Sequence, residues 1–337
     1  LLNYLVFSMF RNSVGMVFPE LSSEFHLVEV QAGSLLSVQL LASLVSGLVA
    51  GPIEARIGRR ALTGLGILLC FVGILFFGLS GSYLALLGSM AMTGCGQGLF
   101  IPPLYSTMGE LLPRARGLMT GVTNGIFALG GFFGPWFAGA TITMYTWRFP
   151  SISFAGLGVA ALFVERLFFK YPPPVNRGLT TFGASTLGLL RSKNIRVLFL
   201  TMFLFNFGWN AFIAWTPAFL RITRGLDTAN AGLVFGLAYV AAAPGTVVFG
   251  GLSDAFERRR VASVIGVAAG LAALLLYVGG SDVLLLASIS ALFGFLAHPS
   301  WNLQIAQAQD SVGPEAITAA TALVRSAGVA GGTLAPI

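Results

Sequence analysis

Long apolar runs alternate along this chain with short clusters of charged residues, glycine and proline. A helix needs about 20 mostly apolar residues to cross the hydrocarbon core of a bilayer, and the breaks between runs predict eleven such helices. They cover roughly 1–20, 31–53, 61–79, 83–109, 116–144, 150–169, 196–220, 228–252, 260–279, 282–309 and 316–337. Between the second and third runs lies Gly51-Pro-Ile-Glu-Ala-Arg-Ile-Gly-Arg-Arg60. Arg56, Arg59 and Arg60 could not enter lipid cheaply, so this stretch is predicted to be a tight, water-facing turn. About 200 residues later Gly250-Gly-Leu-Ser-Asp254-Ala-Phe-Glu-Arg258-Arg259 repeats the pattern between two further runs. An arginine-rich hairpin recurring at that interval predicts two copies of one multi-helix membrane unit.

The repeat extends beyond the hairpins. Leu27, Ala32 and Gly33 answer to Leu226, Ala231 and Gly232; Pro19 answers to Pro217; Gly130, Gly131 and Pro135 answer to Gly331, Gly332 and Pro336. The same register sets Arg11 opposite Trp209, Gln97 opposite His298, and Asn124 opposite Arg325. The expected organisation is an N-terminal six-helix bundle over 1–169, a linker over 170–194, and a C-terminal bundle of five helices over 195–337. The linker contains Tyr171-Pro-Pro-Pro174 and has basic but no acidic residues. With a second half one helix short of the first, and Leu rather than Met at position 1, the chain is expected to be a fragment lacking a twelfth helix.

Composition narrows the class. At 56% hydrophobic and 9% charged residues the chain lacks the polar surface of a water-soluble fold, which points to an all-α polytopic membrane protein. Its net charge of +7 does not indicate nucleic acid, because the basic residues sit in clusters between apolar runs and form no face with interleaved aromatics. They act instead on topology: fourteen of the 19 Lys and Arg residues fall on the side of the Gly51–Arg60 hairpin, and only Arg148, Arg221 and Arg224 on the other. By the positive-inside rule the hairpins and linker are expected in the cytoplasm, with the chain in the cell membrane. Arg11 within the first run argues against a signal peptide. Cys70 and Cys95 both lie inside apolar segments, where a thiol behaves as a small hydrophobe, and no disulfide framework or metal spacing is present. Gly94, Gly96 and Gly98 have neither a preceding strand nor a following lysine, so they make no nucleotide loop. No nucleophile stands with a base, and no enzyme or cofactor is expected.

The candidate chemistry is polar groups at membrane depth. Arg11 stands midway along its run, where an isolated guanidinium costs ~2.5 kcal/mol or more. Arg325 is similarly central, whereas Glu20, Glu110, Glu165 and Asp310 all fall near helix ends. Two central cations without a central carboxylate predict a positive cavity that an anion would neutralise; the alternative is that each arginine bonds carbonyls or snorkels to an interface. Gln97, flanked by glycines, offers a donor and an acceptor either to a ligand or to another helix. His298, before Pro299, is the histidine within a spanning segment, suited to carry a proton or to a structural bond. Trp209, Asn210, Trp215, Tyr239, Trp301 and Asn302 could line the second half of a cavity or serve as packing and interfacial anchors.

These residues resemble the major facilitator superfamily of secondary transporters. Its signature between helices two and three runs Gly-x-Leu-Ala-Asp-Arg-x-Gly-Arg-Lys, and Gly51, Ile53, Arg56, Gly58, Arg59 and Arg60 fit it, with Ala55 in the acidic position and Glu54 beside it. The second copy keeps Asp254, Arg258 and Arg259, with Ala255 and Glu257 where Arg and Gly are usual. The fifth run, Gly121-x8-Gly130-x3-Gly134-Pro135-x2-Ala138-Gly139, is similar to the superfamily's glycine-proline signature; Gly130, Gly134 and Pro135 then form either a pivoting contact or plain close packing. Glu110-Leu-Leu-Pro113-Arg-Ala-Arg116-Gly117 and Trp147-Arg148-Phe149 are similar to the loops after helices four and five. Within the superfamily, Arg11-x7-Pro19 and Trp215-Thr-Pro217 look like the organic anion symporters and organophosphate antiporters, although Trp209 replaces a second arginine and Gln97 a glutamate of that group.

The resemblance implies a monomeric transporter that moves a small organic anion, such as a carboxylate or sugar acid, by alternating access. Coupling would be to a proton, another ion or an exchanged substrate. The substrate-binding set it implies is Arg11, Gln97, Asn124, Trp209, Asn210, Tyr239, His298 and Arg325. Conformational-switch loops would centre on Gly51, Arg56, Gly58, Arg59, Arg60, Asp254, Arg258 and Arg259. Two other readings remain open: efflux of a drug-like compound, and a non-transporting receptor or sensor on a transporter scaffold.

Overall fold

The computed structural model describes residues 1–111, 116–169, 188–313 and 316–337. The described chain is helical throughout. The first half holds α1 (Leu2–Ser13), α2 (Phe18–Phe25), α3 (Glu29–Ile57), α4 (Arg59–Leu79), α5 (Tyr83–Leu111), α6 (Arg116–Ile142) and α7 (Arg148–Phe168). After it come α8 (Lys193–Ile222), α9 (Thr228–Ala255), α10 (Arg258–Val278), α11 (Val283–Ala297), α12 (Pro299–Asp310) and α13 (Ile317–Leu334). The chain divides into two compact units. One comprises Leu1–Leu179, Asp227–Gly232 and Pro336–Ile337; the other comprises Thr180–Leu226 and Leu233–Ala335. Most of the expected linker, 170–187, lies outside the described residues, as do 112–115 of the loop after the fourth run; the linker's described end is a 3-10 turn at Leu189–Arg191.

Among the described residues, nine helical stretches are long and apolar enough to cross a membrane. Their outward faces are apolar rather than charged. Leu84, Phe163, Val264 and Leu271 are all exposed, and of the Arg258–Val278 span only 22% is buried despite its hydropathy of 2.4. Such faces are stable against lipid and not against water.

Two expected runs are interrupted, both at proline. Pro19 near the start of α2 has no N–H to give and its ring crowds the carbonyl four residues back, so the first run breaks into α1, a 3-10 turn at Val14–Met16, and α2. Pro299 does the same between α11 and α12, leaving His298 at the break. Other ends are set by caps. Asp282 Oδ1 accepts the Leu285 N–H at 2.8 Å to start α11, and Asp227 Oδ1 accepts the Asn230 N–H at 2.9 Å to start α9.

The tight turn expected at Gly51–Arg60 is narrower than that whole stretch. Helix α3 continues through Ile57, α4 begins at Arg59, and Gly58 alone joins them with φ 81° and ψ 153°. Only glycine adopts that conformation without strain. The second copy behaves alike, with α9 running to Ala255 and α10 starting at Arg258. Arginines can stand on helix ends that project past the hydrocarbon, so charge marks the membrane boundary and not the end of the helix.

Close approaches repeat between the units. A Cβ on Gly130 of α6 would lie 2.6 Å from the Leu5 carbonyl oxygen of α1, and one on Gly331 of α13 would lie 2.1 Å from the Phe203 carbonyl oxygen of α8. A Cβ on Gly94 of α5 would lie 2.1 Å from the Gln39 carbonyl oxygen of α3, and one on Gly294 of α11 would lie 1.8 Å from the Ala238 carbonyl oxygen of α9. The internal duplication is therefore one of contacts as well as of sequence. These contacts also move one register by a residue: matching Gly94 to Gly294 sets His298 against Gly98 instead of Gln97.

At the Ser80 end of the first unit, away from Gly58, Glu24 holds three elements together. It accepts the Trp147 Nε1–H at 2.6 Å and both Arg148 guanidinium nitrogens, at 2.9 and 2.5 Å, while Arg148 also donates to the Ser80 carbonyl at 3.2 Å. Arg148 in the first place, then Trp147, keeps the Glu24 carboxyl below its ordinary value of 4.5. A depressed carboxyl stabilises the fold above the unfolded pKa, and that contribution fades as pH falls through the folded one. Glu24→Gln should accordingly remove part of the acid-induced drop in melting temperature below about pH 4.5. The same acid profile in wild type and variant would show that the clasp carries no stability.

Candidate functional site

The signature arginines of the two units are paired differently. In the first unit Arg59 heads α4, where the positive end of the helix dipole opposes a cation. Glu54 and Glu110 compensate: Arg59 Nε donates to Glu54 Oε1 at 2.7 Å and Nη1 to Glu110 Oε2. Glu54, one residue before the family's acidic position, thus supplies the contact that Ala55 cannot. Side-chain exposures are 7% for Arg59 and 9% for Glu110, so this pair is buried. Arg60 donates to the Arg166 carbonyl at 3.2 Å, and Arg56 points to the surface. In the second unit Arg258 Nη1 meets Asp310 Oδ2 at 2.5 Å, at the place where Arg59 meets Glu110, but exposures of 26% and 63% make it a surface contact. Arg259 is exposed, Gly51 lies on α3, and the Asp254 side chain is outside the described ones.

Arg11 is 8% exposed, which excludes an orientation toward lipid. It sits in the last turn of α1 beside Asn12, whose amide donates to Ser8 O and Oγ at 2.8 and 3.0 Å, and Ser8 in turn donates to the Phe127 carbonyl of α6 at 2.5 Å. Seven residues earlier on α1, about 10 Å away at 1.5 Å per residue, Tyr4 begins a second polar row. Its hydroxyl lies 3.3 Å from that of Tyr105, and Tyr105 donates to Asn124 Oδ1 at 2.7 Å. Gln97 on α5 is half-buried, and its Oε1 meets no hydrogen-bond partner among the described residues. Tyr4 and Tyr105 were not among the sequence candidates.

In the second unit Trp209, Tyr239 and His298 come together from α8, α9 and the α11–α12 break. The Trp209 ring stacks on Phe212 and Phe293, each at 5.8 Å, and meets Tyr239 at 5.6 Å and His298 at 5.7 Å edge-on. His298 Nδ1 is 3.4 Å from Thr246 Oγ1. Asn210 is buried, with its amide donating to the Asn206 carbonyl at 2.9 Å, which is a bond along its own helix. Arg325 is exposed, and its guanidinium carbon lies 5.9 Å above the Trp301 ring, a cation–π contact rather than an ion pair. Phe293 and Thr246 complete this cluster and were missed in the sequence.

The glycine-proline stretch of α6 packs on α1. A Cβ on Gly134 would stand 2.2 Å from the Met9 carbonyl oxygen, whereas Gly121 and Gly125 face open space. Helix α6 runs unbroken through Pro135.

Comparison with known proteins settles what these features belong to. The family model of the Major Facilitator Superfamily matches residues 1–336. The chain belongs to this superfamily. Among curated proteins, a probable sulfoacetate transporter of Cupriavidus necator is 24% identical over 359 aligned residues, 98% of this chain and 83% of that one. A multidrug efflux protein of Bacillus subtilis is 26% identical over 223 residues, 66% and 54% of the two chains. The hexuronate transporter of Escherichia coli is 21% identical over 267 residues, 74% and 62%. Among solved structures, a bacterial homologue of the human lysosomal transporter Spinster, inward-facing and unoccupied, has a TM-score of 0.84 at 18% identity, covering 99% of this chain and 79% of that one. The fold is thus that of a Major Facilitator Superfamily transporter, a multi-pass membrane protein and not an enzyme. The buried polar groups of α1 belong to the first compact unit and the Trp209 cluster to the second.

Proposed function

We propose that this protein is a secondary active transporter for a small organic anion, a carboxylate or sulfonate such as a sugar acid, working by alternating access. One observation carries the reading: Arg11, a guanidinium in the last turn of α1, is buried rather than turned outward. A guanidinium has five N–H donors in a fork that matches a carboxylate or sulfonate, so it can hold an internal partner and a bidentate anion together. The sulfoacetate and hexuronate transporters among the relatives take anions by name, which supports the assignment. Asn124, with Tyr105 and Tyr4, and Gln97 would order the cargo in the first unit. Trp209, Asn210, Tyr239, His298 and Arg325 would do so in the second, with His298 as the group that takes up a coupled proton. The basic hairpins would face the cytoplasm of a cell-membrane monomer.

The test is uptake of labelled organic anions into proteoliposomes, with and without a pH gradient. Arg11→Gln is expected to reduce anion uptake at least a hundredfold while leaving insertion and folding intact; full uptake by this variant removes Arg11 from the site. A second reading, efflux of a lipophilic compound, is favoured by the ring cluster around Trp209 and by the efflux protein among the relatives. Export of an uncharged or cationic dye that survives Arg11→Gln would establish that reading in place of the first.

A further inference from the structure

Helices α4 and α7 of the first unit pack together along their length. Gly64 of α4 lies against Arg166 of α7, Phe71 of α4 against Gly158, and Gly78 of α4 against Ile152 and Ser151. The faces that this pair turns outward are apolar, with Leu65 and Leu68 of α4 and Phe163 and Leu167 of α7 all exposed, as suits contact with lipid.

At the Gly58 end two arginines head the α4–α7 groove. Arg60 and Gly64 are four residues apart, about 6 Å along α4, and share one face of it. The Arg166 guanidinium fills the notch that Gly64 leaves, with Nη2 in the place a Cβ would take. Arg60 Nη2 donates to the Arg166 carbonyl at 3.2 Å, in the last turn of α7 where carbonyls have no partner within the helix. Two guanidiniums from different helices are thereby held about one helical turn apart. The carbonyl uses one of the five N–H donors of Arg60, which is exposed.

Like charges so close favour an anion between them. The acids at this end are turned elsewhere: Glu54 and Glu110 to Arg59, and Glu165 to the Asn3 amide. Among the described residues Arg59, Arg148, Arg258 and Arg260 meet carboxylates, whereas Arg60 and Arg166 meet none. Both stand at ends of candidate spans, Arg59–Leu79 and Arg148–Phe168, the depth at which lipid headgroups lie.

We propose that the α4–α7 groove binds one anionic phospholipid, with its phosphate between the Arg60 and Arg166 guanidiniums and its acyl chains on the apolar outward faces below them. Gly64 makes the site specific, because it alone gives Arg166 its seat. The site belongs to the first unit and does not depend on which cargo the transporter moves.

Native mass spectrometry of the full-length protein, released from micelles holding phosphatidylglycerol and phosphatidylcholine with the same acyl chains, tests this. Wild type should retain phosphatidylglycerol at least tenfold more than phosphatidylcholine. Gly64→Ala keeps every charge, but its methyl displaces the end of a flexible side chain, so the fold should hold and the preference should fall at least fivefold. Arg60→Gln with Arg166→Gln should abolish the preference. Arg259→Gln with Arg260→Gln removes the same charge from exposed positions of the second unit and should leave it unchanged. Thermal unfolding in phosphatidylcholine alone checks that each variant is folded. An unchanged preference in the folded Gly64→Ala or Arg60→Gln/Arg166→Gln protein overturns the proposal, as does an equal loss in the second-unit variant, which would make net charge the cause. Displacement of the lipid by millimolar inorganic phosphate would assign the arginines to a free anion and also overturn it.

Discussion

Replacing Arg59 by alanine is expected to lower the stability of the first unit by about 3–5 kcal/mol, the usual result of removing one member of a buried ion pair. The variant leaves Glu54 and Glu110 facing each other without a cation, Glu110 in a place where little water reaches it. The corresponding Arg258→Ala should cost within about 1 kcal/mol, because its partner Asp310 is largely solvated. Thermal unfolding of the two variants in the same detergent measures the contrast. The double change Arg59→Met with Glu110→Leu should recover much of the loss, since it removes the stranded charge together with the pair. Equal losses for Arg59→Ala and Arg258→Ala would show that burial does not govern these contacts.

Gly134→Ala is the second large effect. Its new methyl would stand 2.2 Å from the Met9 carbonyl oxygen and 2.5 Å from the Met9 Cα, both backbone atoms that cannot swing aside, so α1 and α6 must separate. A loss of about 1–3 kcal/mol is expected from such overpacking. Gly121→Ala in the same helix has nothing within 4 Å and should be neutral or stabilising by up to ~1 kcal/mol through helix propensity alone. Expression level and melting temperature of the two variants decide the matter. Indistinguishable behaviour would mean that the glycines of this stretch serve something other than the α1–α6 contact.

The fold was legible in the sequence because membrane helices announce themselves by length and hydropathy, and because Arg59 and Arg258 mark the same place in each repeat. The breaks at Val14–Met16 and His298 were harder to see. Pro19 and Pro299 looked like the ends of apolar runs or their interior, and only the backbone shows where each hydrogen-bond ladder gives way. Glu54 shows how a motif can be kept in space while it shifts in sequence, since one residue of offset along a helix still reaches Arg59. Of the candidate site, Trp209, Tyr239 and His298 proved to be neighbours, while Tyr4 and Tyr105 escaped notice. A tyrosine in an apolar run reads as an interfacial anchor until its hydroxyl is seen to meet another. Arg325 was read as a companion to Arg11, yet it leans on a ring, a contact that no charge count reveals.

A single residue, Gly58, separates two helices of 29 and 21 residues. So short an elbow has no slack: when α3 tilts, the head of α4 must be carried with it, as by a stiff crank. Inserting a few flexible residues there would leave both helices whole and yet let each turn on its own.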